Sequence, residues 1–78
     1  SIMSKDTVLK VLKEHFGDRD YQDDVHIIDD LDGDEFSLVE LSVKIDELLD
    51  ISLDEEKILE VGTVGDLIAL VESHVQSD

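Results

Sequence analysis

The stretch Ile27–Leu49, IIDDLDGDEFSLVELSVKIDELL, decides the fold. It opens with an acidic turn, Asp30-Leu31-Asp32-Gly33-Asp34, and continues with helical periodicity from about Glu35 to Asp50. Leu38, Leu41, Ile45, Leu48 and Leu49 recur on one face, which is the side predicted to turn to a core. Phe36, Val39 and Val43 form a narrower stripe on roughly the opposite side, with Glu40, Asp46 and Glu47 beside it. An apolar strip edged by acids suits a docking surface, and it equally suits packing beneath a loop. Asp34 is placed to cap this helix, where acidic groups also meet the positive end of the helix dipole.

Three further helices are predicted around this one. In the first, roughly Ser4 to Phe16, Val8, Leu9, Leu12 and Phe16 share a face, Ser4 is the expected N-cap and Gly17 the left-handed close. From Gly17 to about Asp34 runs a long acidic loop, which Tyr21, Val25, Ile27, Ile28 and Leu31 are expected to tack onto the core. A short third helix is predicted after Ser52, whose spacing to Glu55 is that of a capping box. Ile58, Leu59 and Val61 supply its apolar contacts, and Gly62 closes it. The fourth begins after Thr63, with Asp66 three residues on, and carries Val64, Leu67, Ile68, Leu70, Val71 and Val75. The expected architecture is all-α, a bundle of three longer helices and one short one.

Length and charge narrow the function. A chain of 78 residues makes one domain with too little core to enclose a deep catalytic cleft as well, which suits an adaptor or carrier better than an enzyme. Ser1-Ile2 ahead of Met3 reads as a leftover of expression, so residues 1–3 are set apart and residues 4–76 are taken as the domain. With no cysteine, neither a disulfide framework nor a thiolate zinc site is available. A net charge of −16 repels nucleic-acid phosphates and directs the protein toward basic protein surfaces. Fifteen of the 22 acidic residues lie between Asp23 and Glu60 against two bases, Lys44 and Lys57, so the second and third helices form an acidic face. No apolar run approaches the roughly 20 residues that cross a bilayer. A cytoplasmic monomer without membrane or nucleic-acid partners is expected.

Catalytic and metal-binding constellations fail on spacing. Asp30, Asp32 and Asp34 alternate as the first ligands of a calcium loop would. If Asp30 opens the loop, however, the required glycine position falls on Glu35 and the closing glutamate position on Leu41. His15, His26 and His74 show no metal-ligand spacing, and Gly17, Gly33, Gly62 and Gly65 form no phosphate-cradling loop. No catalytic activity, catalytic residue or metal is expected.

The stretch resembles the acyl carrier protein pattern of an Asp-Leu-Gly-x-Asp-Ser-Leu turn followed by an acidic Val-Glu-Leu helix. Asp30, Leu31, Asp34, Val39, Glu40 and Leu41 match it without a gap. The resemblance covers nearly the whole chain, including the long loop, the acidic Asp54-Glu55-Glu56-Lys57-Ile58 segment and the Thr63-Val64 start of the last helix. It implies the acyl carrier bundle, and a serine bearing 4'-phosphopantetheine at the head of the second helix. In that register the serine is replaced by Glu35, the leucine after it by Phe36, and the family's glycine by Asp32.

Phosphopantetheine transfer requires an alcohol oxygen to attack phosphorus, and a carboxylate would give only a reactive mixed anhydride. No cofactor is therefore expected on Glu35. Its charge stands where a phosphodiester's would, but an acid in the first turn also stabilises a helix by about 0.3 to 1 kcal/mol with no further role. Ser37 is chemically competent, yet sliding the motif onto it turns the serine by about 200° relative to the Val39-Glu40-Leu41 face. Phe36 would partly obstruct any entrance to the core. The resemblance implies that Asp34, Glu35, Phe36, Val39, Glu40, Asp46 and Glu47 meet basic patches on synthases, transferases or ligases, with Lys44 departing from an all-acidic helix. The alternative is a working acyl or aminoacyl carrier of fatty acid or polyketide type, with Glu35 engineered or Ser37 modified and 4'-phosphopantetheine attached.

Overall fold

A computed structural model describes residues 2–75. Four helices form where the apolar spacing demands them: α1 (Ile2–Phe16), α2 (Glu35–Leu49), α3 (Glu55–Leu59) and α4 (Val64–His74). α1 packs on α2 and α4, while α3 bridges α2 and α4. Among the described residues, fifteen apolar side chains drawn from all four helices and all three connections are buried in one cluster. No helix among the described residues is long and apolar enough to cross a membrane.

The helix starts follow local chemistry with two exceptions. α2 and α4 begin at the predicted caps, Asp34 and Thr63, and each carries a reciprocal capping box. In α4, Thr63 Oγ1 accepts from Asp66 N at 3.0 Å, while Asp66 Oδ2 accepts from Thr63 N at 3.0 Å. Ser4 does not cap α1. The helix already includes Ile2 and Met3, and Ser4 lies buried on the face it shares with Val8, Val11 and Leu12. Ser52 does not cap α3 either, because Asp54 accepts from Glu56 N at 2.9 Å. Gly62 does not end α3 in a left-handed turn. Its carbonyl accepts from Ile27 N at 3.0 Å, and its N–H donates to Asp66 Oδ2 at 3.3 Å. The predicted domain end, Gln76, lies outside the described residues.

The long loop is packed as a unit. Ile27 and Leu31 are buried, Tyr21 and Val25 are partly so, and Tyr21 donates its hydroxyl to Leu12 O at 3.3 Å. An antiparallel bridge pairs His26 with Thr63, and Val64 N donates to Val25 O at 2.9 Å, tying the loop to the head of α4. Ile28, expected to pack, is exposed. Residues 27–31 form a hydrogen-bonded turn in which Asp30 N and Leu31 N both donate to His26 O, and seating Ile27 and Leu31 in the core leaves Ile28 on its outer side.

Candidate functional site

The turn that positions the head of α2 is built from backbone bonds. Arg19 donates to Leu31 O at 3.2 Å and to Asp30 O at 2.8 Å, and Asp30 Oδ2 accepts from His26 N at 2.8 Å. Leu31 is driven into the core, which fixes the turn's inner edge. Asp32 then takes φ 60°, in the left-handed region where glycine is favoured and aspartate is among the few tolerated alternatives. Gly33 follows, its N–H donating to Ile27 O at 3.0 Å. It passes so close that an added Cβ would stand 3.0 Å from Ile27 O and 3.1 Å from Phe16 Cζ. Asp30 and Asp34 are thus committed to backbone donors. Among the described residues, no three His, Cys, Asp or Glu side chains are placed to hold a metal ion together.

Asp34 and Ser37 close the first turn of α2 against each other. Ser37 N donates to Asp34 Oδ1 at 2.9 Å, and Asp34 N donates to Ser37 Oγ at 3.2 Å. The Ser37 hydroxyl also donates to Asp34 Oδ1 at 3.1 Å. These bonds, the Ser37 N–H first, hold the Asp34 carboxyl below the usual carboxylate range. Glu35, where the resemblance sets the attachment residue, is the first residue of α2 and is exposed.

Beyond the first turn, the outer face of α2 carries Phe36, Glu40, Val43 and Glu47, spaced i, i+4, i+7 and i+11 and all exposed. Phe36 is 69% exposed, so its ring stands in water outside the core. Val39 is half-buried at the edge of this line. Asp46, grouped with Glu40 and Glu47 from the sequence, is turned away from them. Its Oδ1 accepts from Leu53 N at 3.0 Å and fastens the connection to α3. Leu48, expected in the core, is 51% exposed. The buried face is completed by Ser42, whose hydroxyl is satisfied by Val39 O at 2.7 Å.

The structure also adds α1 residues that periodicity did not indicate. Val11, Glu14 and His15 line a groove beside Val39, Glu40, Val43 and Lys44. No local signal marks this groove, because it exists only once α1 and α2 are packed.

Residues 6–71 match the family described as a phosphopantetheine attachment site. An acyl carrier protein of Clostridium acetobutylicum is 35% identical over 49 residues, which are 63% of this chain and 64% of that relative's length. A solved structure described as an acyl carrier protein from Mycobacterium tuberculosis superposes with a TM-score of 0.82 at 21% identity, covering 90% of this chain and 96% of that one. That structural likeness concerns the fold, while the family match spans most of the sequence. The chain therefore belongs to the phosphopantetheine attachment-site family, and its fold is that of an acyl-carrier-like module.

Proposed function

We propose that this module docks on basic surfaces of synthases, transferases or ligases that use carrier proteins, and does so without bearing 4'-phosphopantetheine. The observation that carries the reading is the head of α2, where Glu35 offers a carboxylate and the neighbouring Ser37 hydroxyl is engaged by Asp34. The residues there do not fit the group. A durable phosphodiester needs a free alcohol, and Ser37 lies about 200° around the helix from residue 35. Docking is supported by the outward Glu40 and Glu47 and by the concentration of fifteen of the 22 acids between Asp23 and Glu60. A basic partner gains from such a surface, whereas phosphate-bearing partners are repelled.

Intact mass after incubation with coenzyme A and a broad-specificity phosphopantetheinyl transferase tests the attachment claim. The expected result is an unchanged mass for the wild type and for Ser37→Ala, with one phosphopantetheine gained by Glu35→Ser. A gain by the wild type that Ser37→Ala abolishes would make the protein a working carrier modified at Ser37. An inert Glu35→Ser variant, with a functional carrier protein modified alongside, would refute residue 35 as the attachment position.

A further inference from the structure

Asp32 stands where the resemblance sets a glycine, and a glycine follows it, so the turn before α2 contains an Asp-Gly pair, the only one in the chain. The pair is chemically labile. A glycine N–H has no neighbouring Cβ to shield it, which makes it the least hindered main-chain nitrogen that can reach back to the carboxyl of the residue before. Asp32 is exposed and holds φ 60°, in the left-handed region that crowds its Cβ. Opposing reaction, Gly33 N donates to Ile27 O at 3.0 Å, and the glycine is wedged against that oxygen and the Phe16 ring. Arg19 closes the same turn by donating to Asp30 O and Leu31 O.

We propose that Asp32-Gly33 is a site of spontaneous backbone isomerisation, held in check by the turn and released when the turn opens. In the open form Gly33 N attacks Cγ of the protonated Asp32 carboxyl. The N–Cγ bond forms, the amide proton and the carboxyl hydroxyl leave as one water, and a five-membered succinimide results. Water then adds to either ring carbonyl. Cleavage at Cγ restores Asp32, whereas cleavage between Gly33 N and the main-chain carbonyl carbon of Asp32 leaves an isoaspartyl link, in which the chain runs through Cβ and Cγ. No oxidant, reductant or cofactor enters. The isoaspartyl chain is longer by one carbon, about 1.5 Å of contour. That carbon falls between Leu31, buried in the core, and Asp34, which caps α2. Neither anchor can take up the extra length while Gly33 stays on Ile27 O, so the product frees the head of α2, Glu35 included. The strain at Asp32 is released in the same step, because its Cβ becomes part of the main chain.

The chain contains no asparagine, so isoaspartate formed in it comes from aspartate alone. The full chain is incubated at mildly acidic pH, native or in guanidinium chloride. The tryptic peptide Asp20–Lys44 is then read by electron-transfer fragmentation, which separates isoaspartate from aspartate at each position. Isoaspartate should form at residue 32 ahead of every other aspartate in that peptide, and at least about tenfold faster in denaturant, since local opening sets the native rate. Native Arg19→Gln, its helical circular dichroism retained, should isomerise faster than native wild type, with the two equal in denaturant. Asp32→Glu, which would need a six-membered ring, should form no such link at that position. The isolated isoaspartyl protein should show amide shifts at Ile27, Gly33 and Glu35 and a lower denaturation midpoint. No isoaspartate at residue 32 in denaturant, or equal rates with and without denaturant, overturns the proposal. A native Arg19→Gln rate no faster than wild type removes the turn as the control. An isoaspartyl chain whose α2 head is unmoved overturns the structural consequence.

Discussion

Asp34 and Ser37 each satisfy the other's backbone N–H, Ser37 N donating to Asp34 Oδ1 at 2.9 Å and Asp34 N to Ser37 Oγ at 3.2 Å. Together they supply acceptors for two donors that a helix start would otherwise leave to water. The same bonds set the roles of the three residues at the head of α2. Asp34 and Ser37 turn inward on each other, and Glu35 between them projects from the first helical position. The hydroxyl of this turn is thereby a structural acceptor, and the free polar group is the glutamate.

This pairing gives the stability a definite pH dependence. The folded-state pKa of Asp34 is lowered, chiefly by the Ser37 N–H, so its contribution is fully present above the unfolded value of about 4 and is lost as pH falls through the folded value. Asp34→Asn keeps a capping acceptor but cannot titrate. In urea melts the variant should be less stable than wild type at pH 7, and the gap should narrow as the pH falls below the unfolded value of about 4. Comparing the two chains cancels the general relief of acidic repulsion that both gain on acidification. A gap independent of pH would remove the linkage.

Asp32 holds φ 60°, a conformation that costs an L-residue about 1–2 kcal/mol and glycine almost nothing. The added backbone freedom of glycine in the unfolded chain offsets part of that gain. Asp32→Gly is expected to raise stability by about 0.5–1 kcal/mol, read from the urea midpoint at constant slope. A loss of stability would show that the aspartate side chain compensates the strain locally.

Gly33 is constrained by space. A methyl group there would meet Ile27 O at 3.0 Å, and this carbonyl is held as the acceptor of the Gly33 N–H itself. Phe16 can turn aside, but the backbone oxygen cannot move without breaking the turn. Gly33→Ala should therefore destabilise by about 1–3 kcal/mol, with amide shifts centred on Ile27 and the head of α2. A neutral substitution would mean that the turn shifts freely.

The features legible in the sequence are those decided by neighbours along the chain. The caps at Asp34 and Thr63 depend on a residue three positions away, and the outward placement of Glu35 and Phe36 follows from the start of α2. Ser52 failed as a cap for a tertiary reason. Leu53 is buried, and its N–H is taken by Asp46, which keeps residues 52–54 out of the helix until Asp54 can cap it. The same bond removed Asp46 from the outer face. The groove between α1 and α2, like the burial of Val11, arises from packing between segments far apart in sequence and leaves no local pattern.

Leu41 and Leu48 share a helical stripe in the sequence, yet only Leu41 is buried, while Leu48 is 51% exposed. The stripe drifts because seven residues advance an α-helix by slightly less than two full turns, and α1 and the loops cover only part of its length. Leu41→Ala should leave a cavity and cost about 2–5 kcal/mol. That is a large share of the roughly 5–15 kcal/mol that holds a domain of this kind together. Leu48→Ala should change stability by no more than about 0.5 kcal/mol. Paired urea denaturation curves decide the matter: similar losses for both would place Leu48 in the core, and a neutral Leu41→Ala would mean that the bundle closes over the gap.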